Sequence, residues 1–267
     1  MPIVCLTGDI HHDGRPKHDF RKSKSLEIKS MTLTWEYQTA EEYWKLANQY
    51  NFATTFFVTG KCIEEHESYW KSLSKRNGVE LGAHTYAAMP LGLLHGVFNR
   101  TIKSYYGPYI YQRIDIKQTL AAFNRIHLRP LSWRTHGYWG NITTNNILSE
   151  FGFKVVSDKC QLGPLKPEKF GKNNLIQVPI NVHPDDKIFG FYCSSDPGNM
   201  QLEGKRVKES ILDGIGKKRD LVVQLHPDNM RILDNYQTFK KILKSLSGNN
   251  YSSMTISSLA QHYQDDC

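Results

Sequence analysis

Side chains that could carry out acid–base or metal chemistry follow several short apolar runs of the sequence. Each of these runs ends at a carboxylate, an imidazole or a guanidinium group. The set comprises Asp9, His11, His84, Arg134, His136, Asp158 and His226. Brought together, such groups can bind a metal ion, activate water and stabilise an oxyanion. An apolar core does not need them, so their repetition indicates an active site.

The apolar runs have the pattern of buried strands, because they are short and rich in β-branched and aromatic residues. The first run begins at Ile3, and the others span 53–60, 79–86, 130–138, 153–158, 175–180 and 221–227. The helical spacing of apolar residues predicts helices at 36–50, 62–76, 115–127, 143–152, 204–216 and 236–246. A last short strand is predicted at 254–256, leading into a final helix.

Strands that alternate with helices at these distances predict an α/β fold with a parallel sheet and outer helices. About seven such units favour closure into a (β/α) barrel, and no change of composition marks a second domain within residues 1–267. In a parallel barrel the carboxyl ends of all strands lie on one face. The polar residues that end the strands are therefore expected to meet at one rim.

The connecting segments carry weaker patterns. Residues 15–33 are polar and basic and are predicted to form a loop over the rim. Residues 87–111 are predicted to be an irregular aromatic excursion beside a substrate groove, with room for one short helix. His183 follows a predicted strand closely enough to approach the rim, and Asp185 and Asp186 have the pattern of a turn. Solvent-facing positions are predicted for His18, His66, His95 and His127.

Charge and cysteine content narrow the class of protein. The chain of 267 residues has a formal net charge of +8. Its basic residues are scattered and not interleaved with aromatic ones, which favours a solvated basic face over a nucleic-acid partner. An odd number of cysteines without a CxxC motif is typical of free thiols in a reducing compartment. With no signal-like segment and no apolar run long enough to span a membrane, the sequence predicts a cytoplasmic protein.

Five short motifs, in this order, resemble those of the polysaccharide deacetylase family, the NodB-homology group. They read Thr7-Gly8-Asp9-Ile10-His11, His84-Thr85-Tyr86-Ala87-Ala88, Arg134-Thr135-His136-Gly137, Asp158 and Leu225-His226. Each motif is weak by itself. Together they cover nearly the whole chain, and each falls at the end of a predicted strand.

The resemblance implies a distorted (β/α) barrel that hydrolyses the N-acetyl amide of a sugar with the help of a divalent ion, commonly zinc. By position, Asp9 would be the general base, and Arg134 would hold it ionised and oriented. His226 would be the general acid for the leaving amine, and Asp158 would be the neighbour that tunes its pKa.

The resemblance also implies a substrate pocket at the same rim. Leu225 would line the space for the acetyl group. A backbone N–H near Gly137 and Tyr138 would stabilise the oxyanion. The expected partner is therefore a carbohydrate or a small amide substrate.

The metal site departs from the family pattern at two positions. One carboxylate position falls on Ile10, which cannot ligate, or on His11, which can. The position of the closing histidine falls on Ala88, which cannot ligate. His11 and His84 therefore remain as predicted ligands. A catalytic zinc site usually has three protein ligands, and neighbouring His12 or His136 could supply the third.

Two other functions stay open at this level. The incomplete ligand set favours a metal-independent hydrolase of a small cyclic or linear amide. A catalytically inactive, glycan-binding member would use the basic surface and the aromatic excursion equally well. The presence of Asp9, Arg134 and His226 together favours an enzyme.

Overall fold

A computed structural model describes residues 1–12, 35–88, 92–170 and 175–265. The loop predicted at 15–33, His18 and part of the predicted excursion at 87–111 lie outside these residues. Of the five cysteines, Cys5, Cys62 and Cys160 are free thiols in the described part. No helix within that part is long and apolar enough to cross a membrane.

The described strands form one sheet, which is parallel except at one edge. The strands are β1 Ile3–Ile10, β2 Thr54–Val58, β3 Val79–Ala83, β4 Ser132–Trp133, β5 Val155–Val156, β6 Glu168–Phe170, β7 Leu175–Gln177, β8 Leu221–Gln224 and β9 Ser252–Ser253. Their order is β6-β7-β5-β4-β3-β2-β1-β8, and β9 pairs with the start of β1. Among the described strands, β6 and β7 are the only antiparallel pair. The predicted α/β class with a mostly parallel sheet is confirmed.

Helices connect and surround these strands. They are α1 Trp35–Asn48, α2 Gly60–Glu65, α3 Glu67–Leu73, α4 Gly92–Ile102, α5 Tyr109–Arg125, α6 Ile142–Glu150, α7 Ile188–Cys193, α8 Pro197–Gly216, α9 Pro227–Asp234, α10 Gln237–Gly248 and α11 Ile256–Asp265. A short 3₁₀ turn occupies His136–Tyr138.

Several boundaries differ from the sequence prediction. The single helix predicted at 62–76 is divided at His66, whose φ of −136° and ψ of 44° are not helical. Strand β6 and helices α7 and α9 have no counterpart in the prediction. Helix α4 forms within the predicted excursion at 87–111, and α5 begins at Tyr109, before the predicted start at 115. Helix α8 starts earlier than predicted, because Pro197 suits a first helical position and the Asp196 side chain accepts a hydrogen bond from the Asn199 N–H.

Successive strand residues point to two different apolar clusters. Even-numbered residues of β1, such as Leu6 and Ile10, pack with helix residues such as Tyr43 and Phe239. Odd-numbered residues Ile3 and Cys5 belong to a second cluster, which also contains side chains of β2, β5, β7 and β8. Among the described α-helices, only α11 contributes to it. Side chains alternate along a strand, so the second cluster fills the inside of a curled sheet.

Asn181 joins the two sides of the curled sheet. Its N–H donates to the Val222 carbonyl oxygen at 3.3 Å, and its Oδ1 accepts from the Val222 N–H at 2.8 Å. Its Nδ2 donates to the carbonyl oxygens of Asp220 and Gly163. One side chain and its backbone therefore tie the segment after β7 to β8, which lie on opposite sides of the strand order. The predicted barrel-like closure is confirmed in this form.

Candidate active site

Asp9 and Arg134 form a buried ion pair inside the barrel. Arg134 Nη1 donates to Asp9 Oδ1 at 2.6 Å, and both side chains are almost fully buried. Burial raises the pKa of a carboxyl, but Arg134, His84 and His226 outweigh burial and hold the pKa of Asp9 well below its ordinary value. Asp9 is therefore ionised throughout the physiological range.

The guanidinium group of Arg134 is fixed on several sides. It donates to Thr7 Oγ1 at 3.1 Å, to Ser157 Oγ at 2.9 Å and to the Ser157 carbonyl oxygen at 3.2 Å. Its central carbon lies 4.2 Å from the ring centre of Phe57. A planar group with this many donors has one orientation here, so Asp9 is oriented as well.

Three histidines from three different strands gather beside Asp9. The nitrogens that His11, His84 and His136 offer lie within 4.8 Å of one another. His84 Nε2 is 3.3 Å from His136 Nδ1 and 3.9 Å from Asp9 Oδ2. Among the described residues, this cluster takes His136, and not His12, as its third member. His136 was one of the two candidates considered from the sequence.

The two predicted ligands are each oriented by an acceptor on the far side of the ring. His84 Nδ1 is 2.8 Å from the Arg134 carbonyl oxygen, and His11 Nδ1 is 2.9 Å from Glu36 Oε2. The His11 backbone N–H donates to the same carboxylate oxygen. Metal-binding histidines commonly have such partners, which fix the tautomer and leave Nε2 to ligate. Burial lowers the pKa of His84, which keeps it neutral. The donor set suits zinc.

His226 lies across from Asp9 and is paired with another carboxylate. Its Nε2 is 4.0 Å from Asp9 Oδ2, and its Nδ1 is 2.6 Å from Asp185 Oδ1. The other oxygen of Asp185 accepts the backbone N–H of His226 at 2.8 Å. Burial lowers the pKa of His226, but Asp185, Asp9 and Asp186 outweigh burial and raise it to about 10. His226 is therefore a proton donor at neutral pH.

Asp158 is not the neighbour of His226, which corrects the sequence prediction. Its two oxygens accept the Thr135 N–H and hydroxyl, both at 2.5 Å, and Gly140 leaves room for it. Burial raises its pKa to about 6. The reason is alternation: Val155 and Ser157 point inside the barrel, so Asp158 points to the other face.

Leu225 does not line the site either. It belongs to the cluster that packs against the helices, together with Val223. The inward residues of this segment are Val222, Gln224 and His226. Gln224 therefore takes the place in the site that the resemblance assigned to Leu225.

The turn at Gly137 and Tyr138 does not offer the Tyr138 backbone N–H as a hydrogen-bond donor to an oxyanion. The Tyr138 N–H donates to the Thr135 carbonyl oxygen at 3.0 Å, so this group is already used. Both residues have positive φ, 64° for Gly137 and 58° for Tyr138. A left-handed conformation is costly for an aromatic residue and is a common sign of a functional position.

Four contributors were missed from the sequence. The pattern around Asp185 predicts a turn, although its side chain is fully buried. Gln224, Ser157 and Glu36 are not among the residues that the motifs single out. Counting every second residue back from His226 and along β5 finds Gln224 and Ser157, but no local pattern indicates that Glu36 contacts His11.

Two other histidines have structural partners. His183 Nε2 is 2.9 Å from Glu203 Oε1 in α8, away from the histidine cluster. His95 is buried rather than solvent-facing, and its Nδ1 is 2.8 Å from the Tyr105 carbonyl oxygen.

Comparisons with solved structures show the same fold. A family 4 carbohydrate esterase from Streptomyces lividans in complex with acetate is 13% identical, with 97% of this chain and 94% of that chain covered and a TM-score of 0.56. The Puue allantoinase is 12% identical, with 98% and 90% covered and a TM-score of 0.68. A family 4 carbohydrate esterase pseudoenzyme from Bacillus anthracis is 12% identical, with 97% and 65% covered and a TM-score of 0.58. At these identities the likeness concerns the fold.

The family itself is shown by sequence. A comparison with curated proteins gives no match. The sequence model of the polysaccharide deacetylase family matches residues 23–156, which is half of the chain and includes the motifs at His84 and Arg134. The chain therefore belongs to the polysaccharide deacetylase family and is a hydrolase of the deacetylase type, acting on non-peptide carbon–nitrogen bonds.

Proposed function

We propose that the protein hydrolyses an N-acyl amide, with Asp9 as general base and His226 as general acid. One observation carries this proposal. Asp9 and His226 face each other at 4.0 Å, and their surroundings drive the pKa of the carboxyl down and that of the imidazole up. Two groups with separated pKa values in one site are the signature of an acid–base pair.

The reaction follows from these positions. Asp9 accepts a proton from water as the water oxygen attacks the amide carbon. Arg134 keeps the carboxylate ionised and aimed at that water. When the carbon–nitrogen bond breaks, His226 donates its proton to the nitrogen, so a carboxylic acid and an amine leave. Proton transfer of this kind contributes about 10²–10⁴-fold to the rate.

We also propose that His11, His84 and His136 hold a divalent ion, zinc by preference. Three imidazole nitrogens within 4.8 Å of one another, each from a rigid strand end, fit such an ion. When bound, the ion would polarise the amide carbonyl and lower the pKa of water. The backbone N–H of Tyr138 is not available to the oxyanion, which increases the need for another electrophile.

The proposed substrate class is an N-acylated sugar. The family description and the acetate in the Streptomyces lividans esterase support it. The similar fold of an allantoinase keeps a small cyclic amide as the alternative. An inactive, glycan-binding protein is disfavoured by the contact between Asp9 and Arg134 and by the presence of His226.

The first test measures metal content and amide hydrolysis together. Purified protein is analysed by elemental mass spectrometry, and amine release from N-acetylated chitooligosaccharides is measured. We expect about one zinc or similar ion per chain, lost in His84→Ala and His136→Ala and kept in the exposed-site control His127→Ala. Asp9→Asn should keep the metal and lose hydrolysis. Hydrolysis by a protein that stays metal-free after incubation with zinc would instead establish the metal-independent alternative.

A further inference from the structure

Gln224 occupies the part of the site where the acyl group of a substrate must lie. Asp9 activates the water that attacks the acyl carbon, and Gln224 Nε2 is 2.9 Å from Asp9 Oδ2. His226, which protonates the amine, lies two residues closer to the rim on the same strand face. The amine of a bound substrate is therefore near the rim, and its acyl group points inward toward Gln224.

The orientation of the Gln224 amide is fixed by two carboxylates. Its Nε2 donates to Asp9 Oδ2 at 2.9 Å and to Asp186 Oδ1 at 3.3 Å. Ionised carboxylates only accept hydrogen bonds, so the NH₂ group must face them. The carbonyl oxygen Oε1 consequently points elsewhere, and it is buried with no hydrogen-bond partner in the part of the chain that the structure describes.

Tyr138 presents a second buried polar atom without a partner. Its hydroxyl makes no hydrogen bond to the described residues, although the oxygen is buried. The ring packs against the apolar cluster inside the barrel. Asp186, Arg134 and Asp9 are close enough to act electrostatically on the hydroxyl. The left-handed backbone at Tyr138 holds the side chain in this position at a conformational cost.

Other buried polar atoms of the described residues also lack a partner, Gln177 Nε2 among them, but these two belong to side chains that interact with Asp9, Gln224 by a hydrogen bond and Tyr138 electrostatically, and they need an explanation. Buried acceptors and hydroxyls almost always have partners, because leaving them without one is costly. A leucine and a phenylalanine would fill the same volume without that cost, and a bare methyl group would bind to them better. A ligand that supplies the missing hydrogen bonds explains both atoms.

We infer that Gln224 and Tyr138 form a polar acyl subsite, which selects an amide whose acyl group carries an O–H or N–H group instead of ending in a bare methyl. Gln224 Oε1 accepts the hydrogen bond from that group, and the Tyr138 hydroxyl donates to an oxygen of the substrate. Two sources share this chemistry, an N-glycolyl amino sugar and a cyclic ureide. The inference rests on the proposed function, because it uses the acyl side that Asp9 and His226 define.

The test compares matched substrates. The kcat/KM is measured for N-glycolylglucosamine and N-acetylglucosamine, which differ by one hydroxyl, and for hydantoin as the cyclic ureide. We expect at least about tenfold preference for a polar substrate, since sites built to hydrogen-bond a group discriminate strongly against its absence. The relative rates on N-glycolylglucosamine and hydantoin distinguish the two sources.

Variants assign the preference to the subsite. Gln224→Leu and Tyr138→Phe should bring the glycolyl-to-acetyl ratio close to one, and the ratio cancels any common effect on Asp9. Gln177→Leu is the matched control, because Gln177 is also a buried glutamine that ends a strand. Its neighbours Ile176 and Val178 point inside the barrel, so Gln177 points to the helix side. Its ratio should equal that of the wild type. A wild-type ratio near one that neither variant changes would overturn the inference.

A binding measurement separates this inference from the proposed function. Titration calorimetry with glycolate and acetate, the acid products, does not require turnover. We expect glycolate to bind at least about tenfold more tightly than acetate, with the difference lost in Gln224→Leu. Absence of hydrolysis with this difference present would contradict the proposed function alone, whereas equal binding of the two acids would contradict the polar subsite.

Discussion

At the scale of residues, the site depends on which carboxylate contacts which base. Asp9 contacts Arg134 and Gln224, and Asp185 contacts His226 through both of its oxygens. The first contact set keeps a carboxylate ionised, and the second keeps an imidazole protonated. Two aspartates therefore differ in function because of their partners: Asp9 is held ionised, and Asp185 holds His226 protonated.

Asp185 should set the alkaline limit of activity. His226 donates a proton, so kcat/KM falls as the pH rises through its pKa, which is raised to about 10. Removing the charge in Asp185→Asn lowers that pKa, and the alkaline limb of the pH–rate profile should move to lower pH by about one unit or more. Asp186→Asn, which leaves both hydrogen bonds of His226 to Asp185 intact, should move it less. A limb that does not move in Asp185→Asn would exclude this role.

Glu36 should tune the affinity for metal through His11. Loss of such an outer partner typically costs about 10–100-fold in metal affinity. We expect Glu36→Ala to weaken zinc binding by that factor, measured by competition with a chromophoric chelator. Glu42→Ala, on the exposed side of the same helix, should bind zinc like the wild type. Equal affinities of the two variants would show that Glu36 does not position His11.

At the scale of elements, strand alternation decides which polar residues enter the site. Ile3 and Cys5 point inside the barrel, so Asp9 and His11 do as well. Asp158 follows an inward Ser157 and points to the opposite face of the sheet, where it accepts hydrogen bonds from Thr135. Each strand therefore delivers every second residue of its carboxyl end to the rim.

Closure of the sheet is an element-scale property with its own test. Asn181→Ala removes three side-chain hydrogen bonds between the segment after β7 and the chain at β8 and Gly163. Leaving buried backbone groups without partners should lower the free energy of unfolding by about 2–4 kcal/mol, measured by urea denaturation. The exposed-site variant Asn146→Ala should stay within about 0.5 kcal/mol of the wild type. A comparable, small change in both would mean that Asn181 does not stabilise closure.

At the scale of the whole molecule, the three clustered histidines follow β1, β3 and β4, which belong to one sheet, with β2 between β1 and β3, and are far apart in sequence. Such a site exists only when the sheet is formed, so an ion that binds it stabilises the folded chain. Cytoplasmic location and a single domain over residues 1–267 stay predictions from the sequence.

Zinc should therefore raise the melting temperature. At a free concentration of one hundred times the Kd, a ligand of the native state adds about 2.7 kcal/mol. We expect a clear upward shift of Tm with zinc in differential scanning calorimetry, reversed by a chelator. His136→Ala should show no shift, and an unchanged Tm in the wild type would contradict the three-histidine site.

The sequence by itself determined the alternation of strands and helices, the family motifs and the residues Asp9, His84, Arg134 and His226 at strand ends. These follow from local patterns, because apolar periodicity defines a strand and the next residue is then at its end. The predictions for Asp158 and Leu225 failed because the motifs do not tell which residues at the end of a short strand point inside the barrel.

Only the tertiary structure decided which side chains contact the site residues. Asp185 meets His226 from 41 residues away, and Glu36 meets His11 from α1. No local pattern encodes these contacts, because they depend on how far the sheet curls and where the connecting segments cross the rim. The tertiary structure also decides that His136 is the third histidine of the cluster and that Gln224, not Leu225, points into the site. Both positions depend on the register between neighbouring strands.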